Sequence, residues 1–303
     1  MKTHLSVRRI FFAALGTMQA IAFAAFLVTS GLAPAPVVLA ASQSFPALES
    51  PSGQTASLNW AGYVAESGSY TAINGSWTIP SVPATGSLAA DATWVGIGGV
   101  KSSDLIQAGT QAITDSRGNI AYSAWYELLP QDSEQITTLT VRPGDLMTVS
   151  LSEQSTNQWL IALTDATTGQ SFTKSVSYES SHSSAEWIQE MPTGVAGFIP
   201  LDTFGSVSFT GANVVENGTS TSAASAGAAP MVLITDTRQT LATPSALGSD
   251  GSSFTVTRSS AVSTAPTSGT SGNGTTVLRG HRVNASRTIT FRNRVISYFI
   301  KAR

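Results

Sequence analysis

Short apolar runs, rich in β-branched and aromatic residues, alternate with clusters of turn residues between Leu58 and Thr240. Pairs such as Asn74-Gly75, Thr168-Gly169 and Asn217-Gly218 separate the runs, and these residue types favour tight turns. Within this stretch no window of a dozen residues carries the apolar period of 3.6 that an amphipathic helix requires. Many short strands at regular spacing are typical of a sandwich or barrel. We therefore predict an all-β fold, an antiparallel β-sandwich of two packed sheets.

The apolar runs also predict where individual strands lie. The predicted strands are Ala72–Ile79, Ala92–Ile97, Ile120–Leu128, Thr137–Val141, Met147–Leu151, Trp159–Thr164, Ser171–Tyr178, Ala185–Gln189, Val207–Thr210 and Met231–Asp236. Because alternate residues of a strand share a face, each of these runs places its apolar residues on a face that can be buried.

The beginning of the chain differs from this β-rich body. Lys2, Arg8 and Arg9 precede an uncharged apolar run over 10–28, and small residues follow up to Ala40, a pattern typical of an export signal. We predict a signal peptide over 1–40, a short propeptide or linker over 41–57 and the body over 58–244. The protein is expected to be secreted. The apolar run is also just long enough to cross a bilayer, so a retained membrane anchor is the alternative.

The end of the chain also has its own composition. Residues 245–278 are rich in Ser, Thr and Gly, which predicts a flexible linker. Residues 279–303 carry seven basic residues and no acidic one. We expect this basic tail to be a flexible appendage that is solvated or forms a strand, and contact with an anionic cell surface is the alternative role.

Composition excludes several kinds of site. The chain has no cysteine, which rules out disulfides, thiolate zinc sites and cysteine nucleophiles. Of the 3 histidines only His182 lies in the body, in a polar stretch where an exposed loop residue is expected. All 18 acidic residues lie between Glu49 and Asp250, and so acidic a body lacks the cations that neutralise phosphates. We expect no nucleic-acid partner, no cofactor, no metal and a monomer.

Three segments combine amide or carboxyl groups with aromatic and apolar neighbours. They are Trp94–Thr110, Tyr122–Glu127 and Ser184–Glu190. On strands, Trp125 shares a face with Glu127, and Glu186 shares one with Glu190. Apolar surroundings raise the pKa of a carboxyl group, and such a group is useful as a general acid or base in an acidic medium.

The same segments, together with Asn59-Trp60-Ala61-Gly62-Tyr63, resemble the glutamic peptidases (the G1 or eqolisin family) from about Asn59 to Phe209. Matching motifs are Trp94-Val95-Gly96-Ile97, Leu105-Ile106-Gln107-Ala108-Gly109, Trp125-Tyr126-Glu127, Val141-Arg142-Pro143-Gly144-Asp145, Ala185-Glu186-Trp187-Ile188 with a second Glu at 190, and Phe204-Gly205-Ser206-Val207-Ser208-Phe209-Thr210. The resemblance implies a β-sandwich and a pepstatin-insensitive acid endopeptidase acting on polypeptides.

The resemblance also implies roles for particular residues. Gln107 and Glu186 would be the catalytic pair, which activates a water without a metal or a covalent intermediate. Trp94, Trp125 and Glu127 would line the substrate cleft.

The residues alone leave two other functions open. A glycoside hydrolase could use Glu127 and Glu186 as its carboxylate pair, with tryptophan platforms for sugar. A non-catalytic surface adhesin would also fit a sandwich with a linker and a cationic tail. Gln107 discriminates between the enzymes, since only the peptidase needs its amide.

Overall fold

The computed structural model of the protein describes residues 48–49, 54–194 and 197–260, and all regular structure in these ranges is β-strand. The strands are β1 (Leu48–Glu49), β2 (Thr55–Ser57), β3 (Trp60–Ala65), β4 (Tyr70–Thr78), β5 (Ala89–Gly98), β6 (Leu105–Thr114), β7 (Ile120–Leu128), β8 (Glu134–Ile136), β9 (Leu146–Ser155), β10 (Gln158–Asp165), β11 (Ser171–Ser177), β12 (Ala185–Glu190), β13 (Thr193–Gly194), β14 (Gly197–Phe198), β15 (Ser206–Glu216), β16 (Thr219–Ser222), β17 (Ala229–Ile234), β18 (Thr240–Pro244) and β19 (Phe254–Arg258). The all-β prediction is confirmed.

The strands form two layers. The layer called here the cleft sheet has the order β8-β7-β6-β5-β12-β3-β17, with every pair antiparallel. The back sheet runs β11-β10-β9-β4-β15-β19-β18-β17-β2-β1, and β16 forms a hairpin with β15. β17 pairs in both layers and joins them, while β13 and β14 pair with each other. The predicted antiparallel sandwich is thereby confirmed.

A continuous apolar core separates the two layers. Two buried tryptophans also connect the layers by hydrogen bonds. The Trp77 indole on β4 donates to the Thr110 hydroxyl of the cleft sheet at 2.9 Å, and the Trp187 indole on β12 donates to the Asn74 carbonyl of the back sheet at 2.8 Å. Burial of one large apolar side chain stabilises a fold by roughly 1.5–3 kcal/mol, and the paired indole N–H groups avoid the cost of an unsatisfied donor.

One predicted strand is wrong. Thr137–Val141 forms a turn and an extended loop, and the neighbouring strand is the short β8. Leu139 and Val141 are nevertheless buried. The alternating pattern therefore indicated correctly that every second side chain is buried. A loop packed against the core can bury these side chains without forming the backbone hydrogen bonds of a strand.

The predicted linker over 245–278 starts too early. Within it, β19 pairs with β15 and β18, because Phe254 and Val256 are buried at alternate positions and the intervening threonine residues suit a strand. Residues 55–57 of the predicted propeptide or linker likewise belong to the back sheet as β2. Residues 261–278 of the linker and the basic tail lie outside the described residues.

His182 lies in a loop, as expected, but it is half-buried. Its ring hydrogen-bonds Glu153 at 2.9 Å and stacks on Trp159, with ring centres 5.6 Å apart. The predicted signal peptide lies outside the described residues, and among those that are described no helix is long and apolar enough to span a bilayer.

Candidate active site

Strand register brings the predicted catalytic pair to one face of the cleft sheet. Gly96 on β5 is paired with Gln107 of β6 on one side and with Glu186 of β12 on the other. Gln107 is paired in turn with Glu127 of β7. Since directly opposed residues of an antiparallel pair point to the same face, the side chains of Glu127, Gln107 and Glu186 project together on either side of a glycine.

Gly96 makes this row compact. A Cβ atom at position 96 would lie 2.7 Å from the Trp94 ring and 3.3 Å from the Gln107 Cβ. The space that a side chain would occupy between Gln107 and Glu186 is therefore already taken up by the neighbouring ring and by Gln107 itself. Gly96 thus belongs to the site, although nothing in its spacing in the sequence indicated that it would separate the pair.

The Gln107 side chain is fully buried and oriented by one contact. Its Nε2 donates to the Glu127 carboxylate at 2.5 Å. Its Oε1 has no hydrogen-bond partner in the described ranges, so the amide retains an acceptor. Because an NH2 group carries two hydrogens, one of them remains for a second acceptor. Glu127, predicted to line the cleft, contacts the proposed catalytic amide directly.

Glu186 is fully buried on the same face, and the part of the chain that is described supplies no well-formed hydrogen bond to either carboxyl oxygen. Burial raises the pKa of Glu186 well above its ordinary value, and the charges of Glu66 and Asp104 add to the rise, while the nearby Ser184 hydroxyl opposes it. Burial thus favours the neutral form of this carboxyl group.

Glu190, at the end of β12, is buried on the same face but has a different environment. The Trp94 indole N–H donates to its Oε2 at 2.7 Å, and the Asn59 amide donates to its Oε1 at 3.2 Å. Burial raises the pKa of Glu190 to about 7, against the opposing effect of the donors Trp94, Asn59 and Trp60. The sequence identified Glu190 as sharing a face with Glu186 but did not identify its donors.

Aromatic residues surround these polar groups. Trp94 and Trp125, both predicted to line the cleft, belong with Trp60 to one apolar cluster on this face. The Trp60 and Trp94 rings meet edge to face with centres 5.0 Å apart. The cluster is separate from the core between the sheets. Such a low-dielectric surround strengthens electrostatic interactions with the buried amide and carboxyl groups.

The sequence matches one protein family and two curated relatives. A model of the Peptidase A4 family matches residues 58–258. Aspergillopepsin-2 from Aspergillus niger is 29% identical over 186 residues, which is 54% of this chain and 66% of that protein. Scytalidopepsin B from Scytalidium lignicola is 32% identical over 180 residues, covering 55% of this chain and 67% of that protein. The chain thus spans about two thirds of the length of these curated relatives.

Solved structures agree with the family match. A scytalido-glutamic peptidase crystallised with a transition state analog inhibitor superposes with a TM-score of 0.59 at 27% identity, over 68% of this chain and 100% of that chain. The aspergilloglutamic peptidase from Aspergillus niger superposes with a TM-score of 0.51 at 28% identity, over 56% of this chain and 99% of that chain.

Proposed function

The chain belongs to the Peptidase A4 family, the glutamic peptidases that its motifs resemble, and from this premise we propose that it is an endopeptidase in which a glutamine and a glutamate activate a water. The observation that carries the proposal is the gathering of the Gln107 amide and two β12 carboxyl groups on one buried, tryptophan-lined face. Membership of a peptidase family counts against the glycoside hydrolase and the adhesin.

Gln107 suits a site in which charge appears on a carbonyl oxygen. Its unpartnered Oε1 can accept a hydrogen bond from the attacking water, and its second N–H can donate to the developing oxyanion. The contact with Glu127 fixes which end of the amide is the donor. An amide keeps both abilities at every pH, because it does not titrate.

The general base must be a carboxylate, because a protonated carboxyl group cannot accept a proton. Hydrogen-bond donors stabilise the ionised form. Glu190 has such donors in Trp94 and Asn59, whereas Glu186 has no well-formed hydrogen bond from the described residues. Position decides between them, since Glu186 lies level with Gln107 across Gly96, whereas Glu190 is paired with Ala92, roughly 13 Å further along β5. A base must reach the water that the Gln107 amide also binds. We therefore assign the general base to Glu186, as the resemblance implied, and Glu190 is the alternative.

The proton balance of the reaction needs only this pair. The water oxygen attacks the scissile carbonyl carbon as its proton passes to the glutamate, and the oxyanion forms against the Gln107 amide. The glutamate then returns the proton to the leaving nitrogen as the C–N bond breaks. No bond to the protein forms, and the glutamate is again a carboxylate. Trp94 and Trp125 would provide apolar walls for substrate side chains.

Action in acid and secretion are parts of the same proposal. Buried carboxyl groups with raised pKa values, such as Glu190, favour a fold that is most stable where they are protonated. Action in acid is implied by the resemblance and requires that Glu186 be ionised in the working enzyme, a form that hydrogen bonds from the bound water would favour. Secretion follows from the predicted signal and is tested by sequencing the N-terminus of protein recovered from the culture medium. The monomeric state and any contact of the basic tail with a cell surface remain predictions.

The test is release of peptides from a denatured protein between pH 2 and 7, in the presence of pepstatin and a chelator. We expect activity in the native protein, a loss of roughly 10²–10³-fold in Gln107→Ala and of roughly 10²–10⁴-fold in Glu186→Gln. Glu190→Gln is the matched variant on the same strand and should retain more activity than Glu186→Gln. Activity that survives in Glu186→Gln but not in Glu190→Gln would reverse the assignment of the base. Equal activity in all variants would refute the proposal.

A further inference from the structure

Two aspartates lie side by side behind the proposed active site. Asp91 on β5 and Asp202, which follows β14, are each only 2% exposed. On β5, Ala92 and Trp94 share one face and belong to the tryptophan cluster, whereas Asp91 directly precedes Ala92. Its side chain therefore projects from the opposite face of the cleft sheet. Neither aspartate takes part in the proposed reaction.

A hydrogen-bond network connects this pair to the strand that carries Glu190. The Gln189 amide donates to Asp91 Oδ2 at 2.5 Å, and the Thr93 hydroxyl donates to Gln189 Oε1 at 2.5 Å. Gln189 and Thr93 are also a cross-strand pair of β12 and β5. Gln189 directly precedes Glu190, and Thr93 directly precedes Trp94. The network thus lies immediately behind the hydrogen bond between Trp94 and Glu190.

The two carboxyl groups can form a hydrogen bond with each other only if one of them is protonated. They lie within hydrogen-bonding reach of each other. As two carboxylates neither would have a donor to offer, and within the described ranges Asp91 Oδ1 and both Asp202 oxygens have no other side-chain hydrogen bond of good geometry. A buried oxygen left without a donor costs free energy, and adjacent carboxyl groups do not both ionise readily. One shared proton removes both costs.

The other groups that face the pair do not supply enough positive charge to replace the proton. β12 contributes the neutral Gln189, β6 contributes the backbone of Ala112, and the backbone of Phe204 interacts with Asp202 and lowers its pKa. Arg258 of β19 is the cation nearby, and its Nε donates to the main-chain oxygen of Asp202. Its charge lowers the pKa of Asp202, but burial and the neighbouring Asp91 outweigh it, so that the pKa stays raised.

We propose that Asp91 and Asp202 share one proton and are positioning residues, which hold β5 and β12 in register behind Glu190 in acid and release them when the proton is lost. A main-chain hydrogen bond also connects the segment of Asp202 to β5, since Asp202 N donates to the Ala90 carbonyl at 3.2 Å. The pair therefore sets the upper pH limit of the native site. Its effect on activity rests on the proposed peptidase function, whereas its effect on folding does not.

The direction of the pH effect follows from the raised pKa values. Both carboxyl groups have a pKa above their ordinary value of 3.8, because of burial and, for Asp202, also because of the charge of Asp91. Their contribution to stability is complete below about pH 3.8 and is lost as the pH rises through the raised values. Asparagine at either position supplies a permanent N–H donor, so that the hydrogen bond no longer depends on a proton.

The test is the pH at which the intact protein unfolds at fixed temperature, followed by far-UV circular dichroism. Asp202→Asn and Asp91→Asn are both expected to move the midpoint upward by about one pH unit or more and to keep the fold in acid. Asp236→Asn, at an exposed aspartate, is the matched control and should leave the midpoint unchanged. Two asparagine variants are used so that one still tests the proposal if the other does not fold.

Activity is the second readout, and it should follow the unfolding midpoint. We expect the upper limb of the kcat/KM profile of Asp202→Asn to move upward with the midpoint while the acidic limb stays in place. Unchanged midpoints in the folded asparagine variants, or an equal shift in Asp236→Asn, would overturn the proposal. An inactive native protein would refute the peptidase assignment, but the midpoints would still decide the role of the pair.

Discussion

Replacement of Trp94 by phenylalanine isolates the hydrogen bond that separates Glu190 from Glu186. The substitution removes the indole N–H that donates to Glu190 Oε2 at 2.7 Å and retains an aromatic ring in the cluster on the cleft sheet. The indole N–H stabilises the ionised form of Glu190, and its loss therefore raises the pKa of that carboxyl group further above the value of about 7 in the native structure.

The size of the shift follows from the type of bond. A hydrogen bond to a charged group contributes roughly 1.5–3 kcal/mol, and one pKa unit corresponds to about 1.4 kcal/mol. The pKa of Glu190 should therefore rise by roughly one to two units in Trp94→Phe. With Glu186 as the base, the acidic limb of kcat/KM should stay in place. With Glu190 as the base, kcat/KM would fall by roughly 10–100-fold at a pH below the limb, where the rate is proportional to the ionised fraction of the base.

The assay is the pH dependence of kcat/KM on a peptide substrate, because its acidic limb reports the base of the free enzyme. Trp125→Phe is the matched control. Trp125 lies in the same cluster, and its buried Nε1 has no hydrogen-bond partner in the described part of the chain. This control can change the level of kcat/KM through the substrate cleft but should leave the limb in place. An acidic limb that moves upward in a folded Trp94→Phe protein but not in Trp125→Phe would refute Glu186 as the base, and an unmoved limb would exclude Glu190.

Three other substitutions test the packing and electrostatics of the site. In Gly96→Ala the new Cβ would lie 2.7 Å from the Trp94 ring and 3.3 Å from the Gln107 Cβ. Thermal denaturation should therefore show a free energy of unfolding that is lower by about 1–3 kcal/mol, and activity should fall. An unchanged Tm would contradict the close packing. In Glu186→Gln, denaturant titrations should show a smaller loss of stability between pH 4 and 8 than in the native protein. Burial raises the pKa of the Glu186 carboxyl group, so the group stabilises the native fold fully only below its ordinary pKa of 4.5. An identical pH dependence in both proteins would show that burial does not favour the neutral carboxyl group. In Gly62→Ala the Cβ would lie 2.0 Å from a backbone carbonyl of β12. Expression should therefore give little folded protein. A native-like circular dichroism spectrum would contradict the pairing of β3 with β12.

Local patterns were sufficient for the class of fold and for much of the site. The apolar runs predicted nine of the 17 strands that form the two sheets, because burial of one face requires an alternating pattern. The same pattern did not distinguish a paired strand from a packed loop at Thr137–Val141, and it missed β19 among serine and threonine residues. Whether a segment pairs depends on which backbone groups lie opposite, and those come from distant parts of the chain.

For the site, the apolar neighbours of amide and carboxyl groups on strands indicated buried polar groups, and the resemblance to the glutamic peptidases implied the roles of Gln107, Glu127, Glu186 and the tryptophans. Which carboxyl group receives donors and which is left without them depends on contacts that form only in the folded chain. The Asn59 amide reaches Glu190 across 131 positions of the chain, and Asp91 meets Asp202 only because the chain returns behind β5. Ionisation of a buried group depends on what surrounds it in space, and that environment is absent from the local sequence.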